Sequence, residues 1–258
     1  MSRHRPLVLV LAFAGAACRS AAPVPAPQTL PAAPPPAVAA APAPAAGASF
    51  RASTAIRWVR DSAEHRALFL QVYRQVTSHV EQEALARPAG TWAVVLDGDE
   101  SVLDNSLYQL ERETVGKAFD RESWRAWTAR REAVPLPGAA AFLARVKMLG
   151  GVIAIVTNRT ETECPDTEAV FLDHGLAFDL MLCKPDDAVS DKAARFAAIA
   201  DGTTPAGLPP LDVVAFVGDN MLDFPDLNQA LRQQGDEAFA EFGARFFVLP
   251  NPMYGSWN

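Results

Sequence analysis

The sequence has few cysteines and histidines, and it has no cluster of basic residues. Three cysteines and four histidines are scattered over 258 residues without a CxxC or HExxH spacing, which excludes the commonest zinc sites. The formal net charge is −7 and no run of lysine and arginine occurs, which excludes a protein that binds a nucleic-acid polymer through its phosphates. The N-terminal apolar run, Leu7–Ala17, is much shorter than the roughly 20 residues that a membrane span needs.

The N-terminus has the features of an export signal. Two arginines precede the apolar run, which ends in small residues directly before Cys18. This order predicts a signal peptide over residues 1–20. The segment resembles a bacterial lipobox, in which the cysteine is lipidated, although Gly15 stands where leucine is usual. Ordinary cleavage near Ala22 is the alternative. We therefore expect an exported protein, either an outer-membrane lipoprotein held by a lipid anchor or a periplasmic protein.

Residues 21–50 consist almost entirely of alanine and proline, without charge or periodicity. Such a segment cannot bury enough apolar surface to order itself, and its prolines keep it extended. We expect a disordered tether between the anchor and a folded domain at 51–258. Within that domain, Cys164 and Cys183 are either a disulfide, which an oxidising compartment permits, or two separate thiols.

Alternating apolar and helical segments predict an α/β domain. Buried strands are predicted at 92–96, 152–156, 178–182, 213–217 and 245–249. Intervening helices are predicted at 139–149, 161–174 and 190–200, the last with Ser190 or Asp191 as its N-cap. This alternation is typical of a doubly wound, Rossmann-like parallel sheet. The helical periodicity of 53–86 predicts a helix or helix pair that packs on the core, and this segment is assigned, with the long polar segment 105–135, to a small helical cap over the site.

Acidic side chains follow the first and fourth predicted strands. Asp97 and Asp99 come directly after the first strand, and Asp219 and Asp223 come after the fourth. Because ligands of such sheets bind at the carboxyl ends of the strands, we expect these carboxylates at one site. Mg²⁺ suits so few carboxylates because it keeps several waters. Asp97 is predicted as a nucleophile toward phosphorus and Asp99 as general acid and base. Asp219 is predicted to bind the metal with Asp97, and Asp223 to orient a metal-bound water.

Groups that suit a phosphoryl anion follow the other strands. Thr157 and Asn158 come after the second strand, and Lys192 comes near the start of the helix that follows the third. Thr157 and Lys192 would hold phosphoryl oxygens, and the lysine would also offset the negative charge of nucleophile and substrate. Its place at a helix N-terminus strengthens this effect. The three residues are therefore predicted to bind phosphate.

Several motifs resemble those of the haloacid dehalogenase superfamily, and more closely those of the class C acid phosphatases. The matching stretches are Ser62–Glu64, Asp97–Asn105, Val156–Arg159, Lys192–Phe196, Gly218–Phe224 and Leu249–Trp257. The resemblance covers residues 53–258 and implies a haloacid dehalogenase-type fold in a bacterial outer-membrane lipoprotein. It implies acid phosphatase and often 5′-nucleotidase activity on small phosphate monoesters such as nucleoside monophosphates, through an aspartyl phosphate. It also implies that Mg²⁺ is bound by Asp97, the backbone carbonyl of Asp99 and Asp219.

Two positions depart from the family pattern. Ser101 stands where threonine is usual, and because it keeps the hydroxyl we expect it still to support the site. Gly98 stands where a bulky apolar residue is usual, between the two catalytic aspartates. The conformational freedom of glycine predicts a less firmly placed Asp99 and a lower activity than in relatives.

Four aromatic residues are candidates to stack on the base or ring of a substrate: Tyr108, Trp124, Tyr254 and Trp257. Trp124 lies three residues before Trp127, on one face of a predicted helix, so packing inside the cap is its alternative role.

Two other functions are compatible with this fold. A dehalogenase is disfavoured by Asp99, because displacing a halide needs no acid for an alkoxide leaving group. A catalytically weak or inactive surface lipoprotein that binds a ligand is favoured by Gly98 and disfavoured by the intact set of acidic and basic residues. The oligomeric state does not follow from the sequence.

Overall fold

The structure, a computed structural model, describes residues 50–258. The predicted signal peptide, Cys18 and the tether up to Ser49 lie outside the described residues. The strands are β1 (Trp92–Leu96), β2 (Leu103–Asp104), β3 (Val134–Pro135), β4 (Val152–Thr160), β5 (Leu180–Lys184), β6 (Asp212–Gly218) and β7 (Phe246–Val248). The α-helices are α1 (Thr54–Asp61), α2 (Ala63–Ala84), α3 (Ser106–Thr114), α4 (Arg121–Arg130), α5 (Ala139–Met148), α6 (Cys164–Asp173) and α7 (Ala193–Asp201).

Five strands form a parallel sheet in the order β5-β4-β1-β6-β7. The chain runs outward from the central β1 through β4 to β5, and then crosses to β6 and β7 on the other side. The predicted doubly wound sheet is thereby confirmed. The carboxyl ends of β4, β1 and β6 lie side by side at the point where the winding changes direction, which is where such folds bind ligands.

The sheet is covered on both faces, which explains why its strands are continuous apolar runs. All five residues of β1 are buried, and they alternate between two core clusters. Val94 and Leu96 belong to the cluster that includes α2, α5 and α6, whereas Ala93 and Val95 belong to the cluster that includes α7. Within residues 50–258, every helix falls short of the length or the apolar character that a membrane span requires.

The segment that the sequence assigns to the cap is divided in the structure. Phe69 and Tyr73 of α2 pack in the same core cluster as β1 and Phe142 of α5, so α2 belongs to the helical layer on the sheet. This corrects the assignment of 63–84 to the cap, because the apolar stripe of α2 is buried by the sheet. By contrast, α1 contacts α3. In sequence, β2 precedes α3 and β3 follows α4, and the two strands pair in antiparallel fashion.

Element boundaries near the site differ from the predicted ones. β4 continues to Thr160, so Thr157 and Asn158 are strand residues and not loop residues. α7 begins at Ala193 with Lys192 as its N-cap, which corrects the prediction of Ser190 or Asp191. The reason is local, since the Asp191 carboxylate accepts the Ala193 N–H at 2.8 Å and closes a turn before the helix.

A disulfide joins Cys164, the first residue of α6, to Cys183 in β5. Their Cα atoms are 6.0 Å apart, within the usual range for such a bond. Of the two arrangements that the sequence leaves open, the structure has the paired one.

Candidate active site

Lys192 lies between two buried aspartates at the carboxyl edge of the sheet. Its ammonium donates to a carboxylate oxygen of Asp97 and, at 2.7 Å, to one of Asp223. Lys192 and Asp223 are both at least 95% buried, and Asp97 is 8% exposed. Burial lowers the pKa of Lys192, but the charges of Asp223 and Asp97 outweigh it and the pKa lies above its ordinary value. The lysine is therefore a fixed cation beside the predicted nucleophile.

Three carboxylates meet at this point. Oxygens of Asp97, Asp219 and Asp223 all lie within 4.8 Å of one another, close enough to hold one metal ion. Burial raises the pKa of Asp97 to about 7; Lys192 opposes this shift, and Asp223 and Asp99 add to it. Burial, with Asp223 and Asp97, also raises the pKa of Asp219 well above its ordinary value. A bound cation would remove this repulsion.

The three carboxylates differ in how many N–H groups they accept. Both oxygens of Asp223 are engaged, one by Lys192 and the other by the Asn220 backbone N–H at 2.9 Å. Asp97 and Asp219 each keep one oxygen that no N–H group of residues 50–258 contacts. Hard oxygen donors of this kind fit a divalent cation such as Mg²⁺. The geometry suits Asp97 and Asp219 as direct ligands, with Asp223 beside them.

Asp219 is oriented from two sides. The Asn251 amide donates to one of its oxygens at 2.8 Å, and the Ser101 hydroxyl lies 3.4 Å from the other. Ser101 is fully buried and its carbonyl accepts the Tyr73 hydroxyl at 2.7 Å. The hydroxyl that replaces the family's threonine thus still reaches the acidic cluster.

Asp99 is held by a residue to which the sequence assigned no role. The guanidinium of Arg159 donates to Asp99 from two nitrogens, at 2.9 and 2.7 Å, and Arg159 is 1% exposed. The Asn105 side-chain amide donates to the same carboxylate at 2.8 Å. The Asn105 side-chain oxygen accepts a hydrogen bond from the Arg159 guanidinium at 3.0 Å. Such a bidentate, buried pair fixes the orientation of the carboxylate.

The cap helix α4 completes this network. The indole N–H of Trp127 donates to the Asn105 side-chain oxygen at 2.9 Å. The Arg159 guanidinium lies over the Trp124 ring, 5.5 Å from its centre. The cap thereby reaches the predicted acid and base through Asn105 and Arg159.

The predicted phosphate-binding residues are tied together by Arg195. This side chain donates to the Thr157 carbonyl and, at 2.6 Å, to the Asn158 side-chain oxygen. The Asn158 amide donates to the Ser190 carbonyl at 3.0 Å, while the Thr157 hydroxyl accepts the Arg159 N–H at 3.1 Å. The structure therefore brings the end of β4 together with the start of α7, as the sequence predicts.

A cavity of about 530 Å³, here called the reaction cavity, opens over the carboxylates, Asn158 and Lys192, whereas Thr157 is fully buried and does not line it. Its lining includes Asp97, Asp99, Asn158, Lys192, Asp219 and Asp223, with Phe119, Trp124 and Tyr254 as aromatic walls. The placement of Trp124 and Tyr254 fits the predicted stacking role. Phe119, which the sequence analysis missed, is a third aromatic wall.

Two aromatic residues do not reach this cavity, which corrects the prediction for them. Tyr108 is 2% exposed and packs against Trp124 and Trp127 inside the cap, where its hydroxyl pairs with Ser123 at 2.9 Å. The apolar face of α3 requires this burial. Trp257 is 44% exposed and does not line the cavity.

The parallel sheet and the carboxylate–lysine centre together define a hydrolase of phosphate esters. The family model described as HAD superfamily, subfamily IIIB (Acid phosphatase), matches residues 32–257, and the chain belongs to this family. The protein is accordingly a phosphomonoesterase, and the predicted family resemblance is confirmed.

Solved structures agree with this assignment. The class C acid phosphatase from Bacillus anthracis is 28% identical, with a TM-score of 0.70 over 79% of this chain and 84% of that chain. The class C acid phosphatase from Bacillus anthracis with tungstate bound is 29% identical, with a TM-score of 0.68 over the same shares.

Proposed function

We propose that the protein is a magnesium-dependent phosphomonoesterase that hydrolyses small esters, such as nucleoside monophosphates, through an aspartyl phosphate on Asp97. The observation that carries this proposal is the buried contact of Asp97 with Lys192, beside Asp219 and Asp223. A carboxylate held next to a fixed cation can meet a phosphoryl anion without net repulsion. The Bacillus anthracis enzyme binds tungstate, a tetrahedral oxyanion like phosphate, and this supports the proposal that the present chain also binds an oxyanion.

The chemistry divides into two displacements at phosphorus. An oxygen of Asp97 bonds to phosphorus as the bond to the leaving oxygen breaks, and Asp99 donates a proton to that oxygen. Asp99 then accepts a proton from the water that attacks phosphorus, inorganic phosphate leaves and Asp97 is restored. Lys192 and Thr157 hold the phosphoryl oxygens throughout.

The metal proposal rests on the donor set. Asp97 and Asp219 would hold Mg²⁺ through their oxygens, with the Asp99 carbonyl as the third protein ligand that the family resemblance implies. When bound, the ion would offset the charge of the carboxylates and the phosphoryl group. Lys192 and the Asn220 backbone hold Asp223 in place, and in this proposal its carboxylate would orient the attacking water.

The nucleoside part of the proposal rests on the aromatic walls of the reaction cavity. Phe119, Trp124 and Tyr254 line the same cavity as Asp97 and Lys192. Stacking on a base is worth about 1–3 kcal/mol for each ring in known sites. A ligand-binding protein without turnover is disfavoured, because the acid, nucleophile and fixed cation all line one cavity.

We further propose that the protein is exported and lipidated at Cys18. The Cys164–Cys183 disulfide supports an oxidising compartment, where such bonds persist. Metabolic labelling with a fatty acid tests this. Label is expected in the wild-type protein and not in Cys18→Ala, and equal labelling of both would refute it.

The deciding experiment measures phosphate release from nucleoside monophosphates and aryl phosphates, with Mg²⁺ or with EDTA. Release is expected only with metal, and Asp97→Asn is expected to lower it by at least about 10⁴-fold, because the covalent route is lost. Asp173→Asn is the control, since it removes one exposed carboxylate at the end of α6 that does not line the reaction cavity, and it should keep full activity. Full activity of Asp97→Asn would refute the proposed nucleophile.

A further inference from the structure

A second cavity, of about 260 Å³, lies against the reaction cavity. The two cavities share the lining residues Phe119, Trp124, Asn158 and Ser190. A molecule that stacks on Trp124 can therefore contact both cavities.

The second cavity is positively charged. Arg121, Arg125 and Lys184 line it, against a single lining carboxylate, Glu163. The carboxylate of Glu163 is occupied by Thr160, whose backbone N–H and hydroxyl donate to it at 2.7 and 3.0 Å. This local excess of positive charge contrasts with the net charge of −7 on the whole chain.

Lys184 has no counter-ion within residues 50–258, although it is only 5% exposed. Its ammonium donates to the carbonyls of Pro185 and Ala188 at 3.2 and 2.9 Å. Those dipoles satisfy its N–H groups but leave its charge uncompensated. Buried charges are usually paired, so this environment favours the binding of an anionic ligand near Lys184.

Two arginines that line the same cavity are exposed, and the charge of Arg125 also acts on the carboxylate of Asp186. Arg121 and Arg125 form no ion pair with any carboxylate in the described part of the chain, whereas Arg130 on the same helix is bound by Glu111 and Glu132. One turn apart, Arg121 and Arg125 lie on one face of α4. Their guanidinium groups are free to bind a phosphate, for which arginine is well suited.

We propose that the second cavity binds another phosphate group of the substrate, so that the enzyme prefers phosphate monoesters with a second phosphate, such as nucleoside bisphosphates. In this arrangement the reacting phosphate lies at Asp97 and Lys192, and the base or sugar lies against Trp124. The second phosphate contacts Arg121 and Arg125 and lies close enough to Lys184 to be attracted by its charge. This inference rests on the proposed hydrolysis at Asp97, and it adds the class of substrate.

The test compares kcat/KM for adenosine 3′,5′-bisphosphate and adenosine 5′-monophosphate. The wild-type enzyme is expected to prefer the bisphosphate, and the preference is expected to weaken as salt is added. In Arg121→Gln/Arg125→Gln the ratio of the two kcat/KM values is expected to fall by about threefold to tenfold, as for two partly exposed charge contacts. The control, Arg66→Gln/Arg74→Gln, removes the same charge from exposed positions on α2 that line neither cavity, and should keep the ratio.

The outcomes separate the two proposals. Equal kcat/KM for the two nucleotides in the wild-type enzyme, or an unchanged ratio in Arg121→Gln/Arg125→Gln, would overturn the second-phosphate subsite while phosphatase activity remains. No release from any ester, 4-nitrophenyl phosphate included, would overturn the proposed function together with this inference.

Discussion

At the scale of single residues, the surroundings of Asp99 decide how well it can exchange a proton. Arg159 and Asn105 hold its carboxylate, and Trp127 holds Asn105. A general acid must lie at the leaving oxygen within a few tenths of an ångström, and a misplacement of about 1 Å costs roughly 100-fold in rate. Arg159 is therefore a positioning residue for the acid step.

Arg159→Gln is expected to lower kcat/KM for a nucleoside monophosphate by about 100-fold. The same variant should lose far less with 4-nitrophenyl phosphate, because its phenolate leaves with little help from an acid. Kinetics with both esters measure this difference. An equal loss with both would mean that Arg159 only supports the fold. Asp99→Asn/Arg159→Gln, which removes both charges of the pair, controls for the cost of a buried unpaired carboxylate.

Gly98 has no backbone requirement for glycine, since it is absent from the positive-φ positions. An added Cβ would lie 3.3 Å from the hydroxyl of the fully buried Thr157, so Thr157 must move by a few tenths of an ångström to admit it. Gly98→Ala is expected to raise the free energy of unfolding by about 0.5 kcal/mol and to raise kcat by about twofold, because Asp99 is held more firmly. Unfolding curves and kcat measure both effects. An unchanged or lower kcat would contradict the role given to Gly98, and the gain should vanish in an Asp99→Asn background.

At the scale of elements, one arginine side chain and one disulfide each connect a helix to a strand of the sheet. Arg195 near the start of α7 donates to the end of β4, and the disulfide joins α6 to β5. Both act on the edge of the sheet that carries Thr157 and Lys192. The groups that we propose to bind phosphate thus lie near links between elements that are distant in sequence.

Reduction of the Cys164–Cys183 disulfide, which spans 19 residues of sequence, is expected to lower the free energy of unfolding by about 3 kcal/mol, because the unfolded chain gains freedom. Urea unfolding with and without dithiothreitol measures this loss. Cys164→Ser/Cys183→Ser should match the reduced protein and should not respond to the reductant. Equal midpoints for the oxidised and reduced wild-type protein would refute the prediction.

At the scale of the whole molecule, the fold concentrates carboxylates at a single edge of the sheet. Glu100 is 4% exposed, and burial raises its pKa well above the ordinary value, to which Asp99 and Asp219 add. Together with Asp97 and Asp219, Glu100 forms an acidic centre whose carboxyl groups lose their contact with water when the chain folds. The family's divalent cation is therefore also expected to contribute to the stability of the domain.

A carboxyl group with a raised pKa binds its proton more tightly in the folded state. In EDTA, the free energy of unfolding should therefore fall as pH rises through the window between about 5 and 7. In exposed pairs such as Arg130 with Glu111 the arginine lowers the pKa of the carboxylate. Such pairs make the free energy of unfolding rise with pH, but only at lower pH. Urea unfolding across this window measures the slope.

Mg²⁺ should weaken this dependence of the free energy of unfolding on pH, because it stabilises the charged carboxylates. Asp219→Asn should weaken the same dependence without metal. A free energy of unfolding that stays constant or rises with pH in EDTA would contradict the burial of an unneutralised acidic centre.

Much of the site could be predicted from local sequence. The strands are apolar runs, and polar residues occur at the end of β1, β4 and β6 and before α7, so Asp97, Thr157, Asp219 and Lys192 could be picked out as candidates from the sequence. Parallel strands necessarily present their carboxyl ends at one edge. Arg159 lay inside a recognised motif, but its partner is 60 residues away, and spacing along the chain contains no signal for that contact.

The sequence by itself determined the order of the elements, the family and the acidic and basic groups of the centre, because these depend on hydrophobic period and on which residue follows which strand. Tertiary structure alone decided that α2 belongs to the layer on the sheet and not to the cap. It also decided that Tyr108 is buried in the cap while Phe119 lines the reaction cavity, and that Arg159 holds Asp99. Each of these depends on which surfaces two distant segments bury together, and that choice is made by packing in three dimensions.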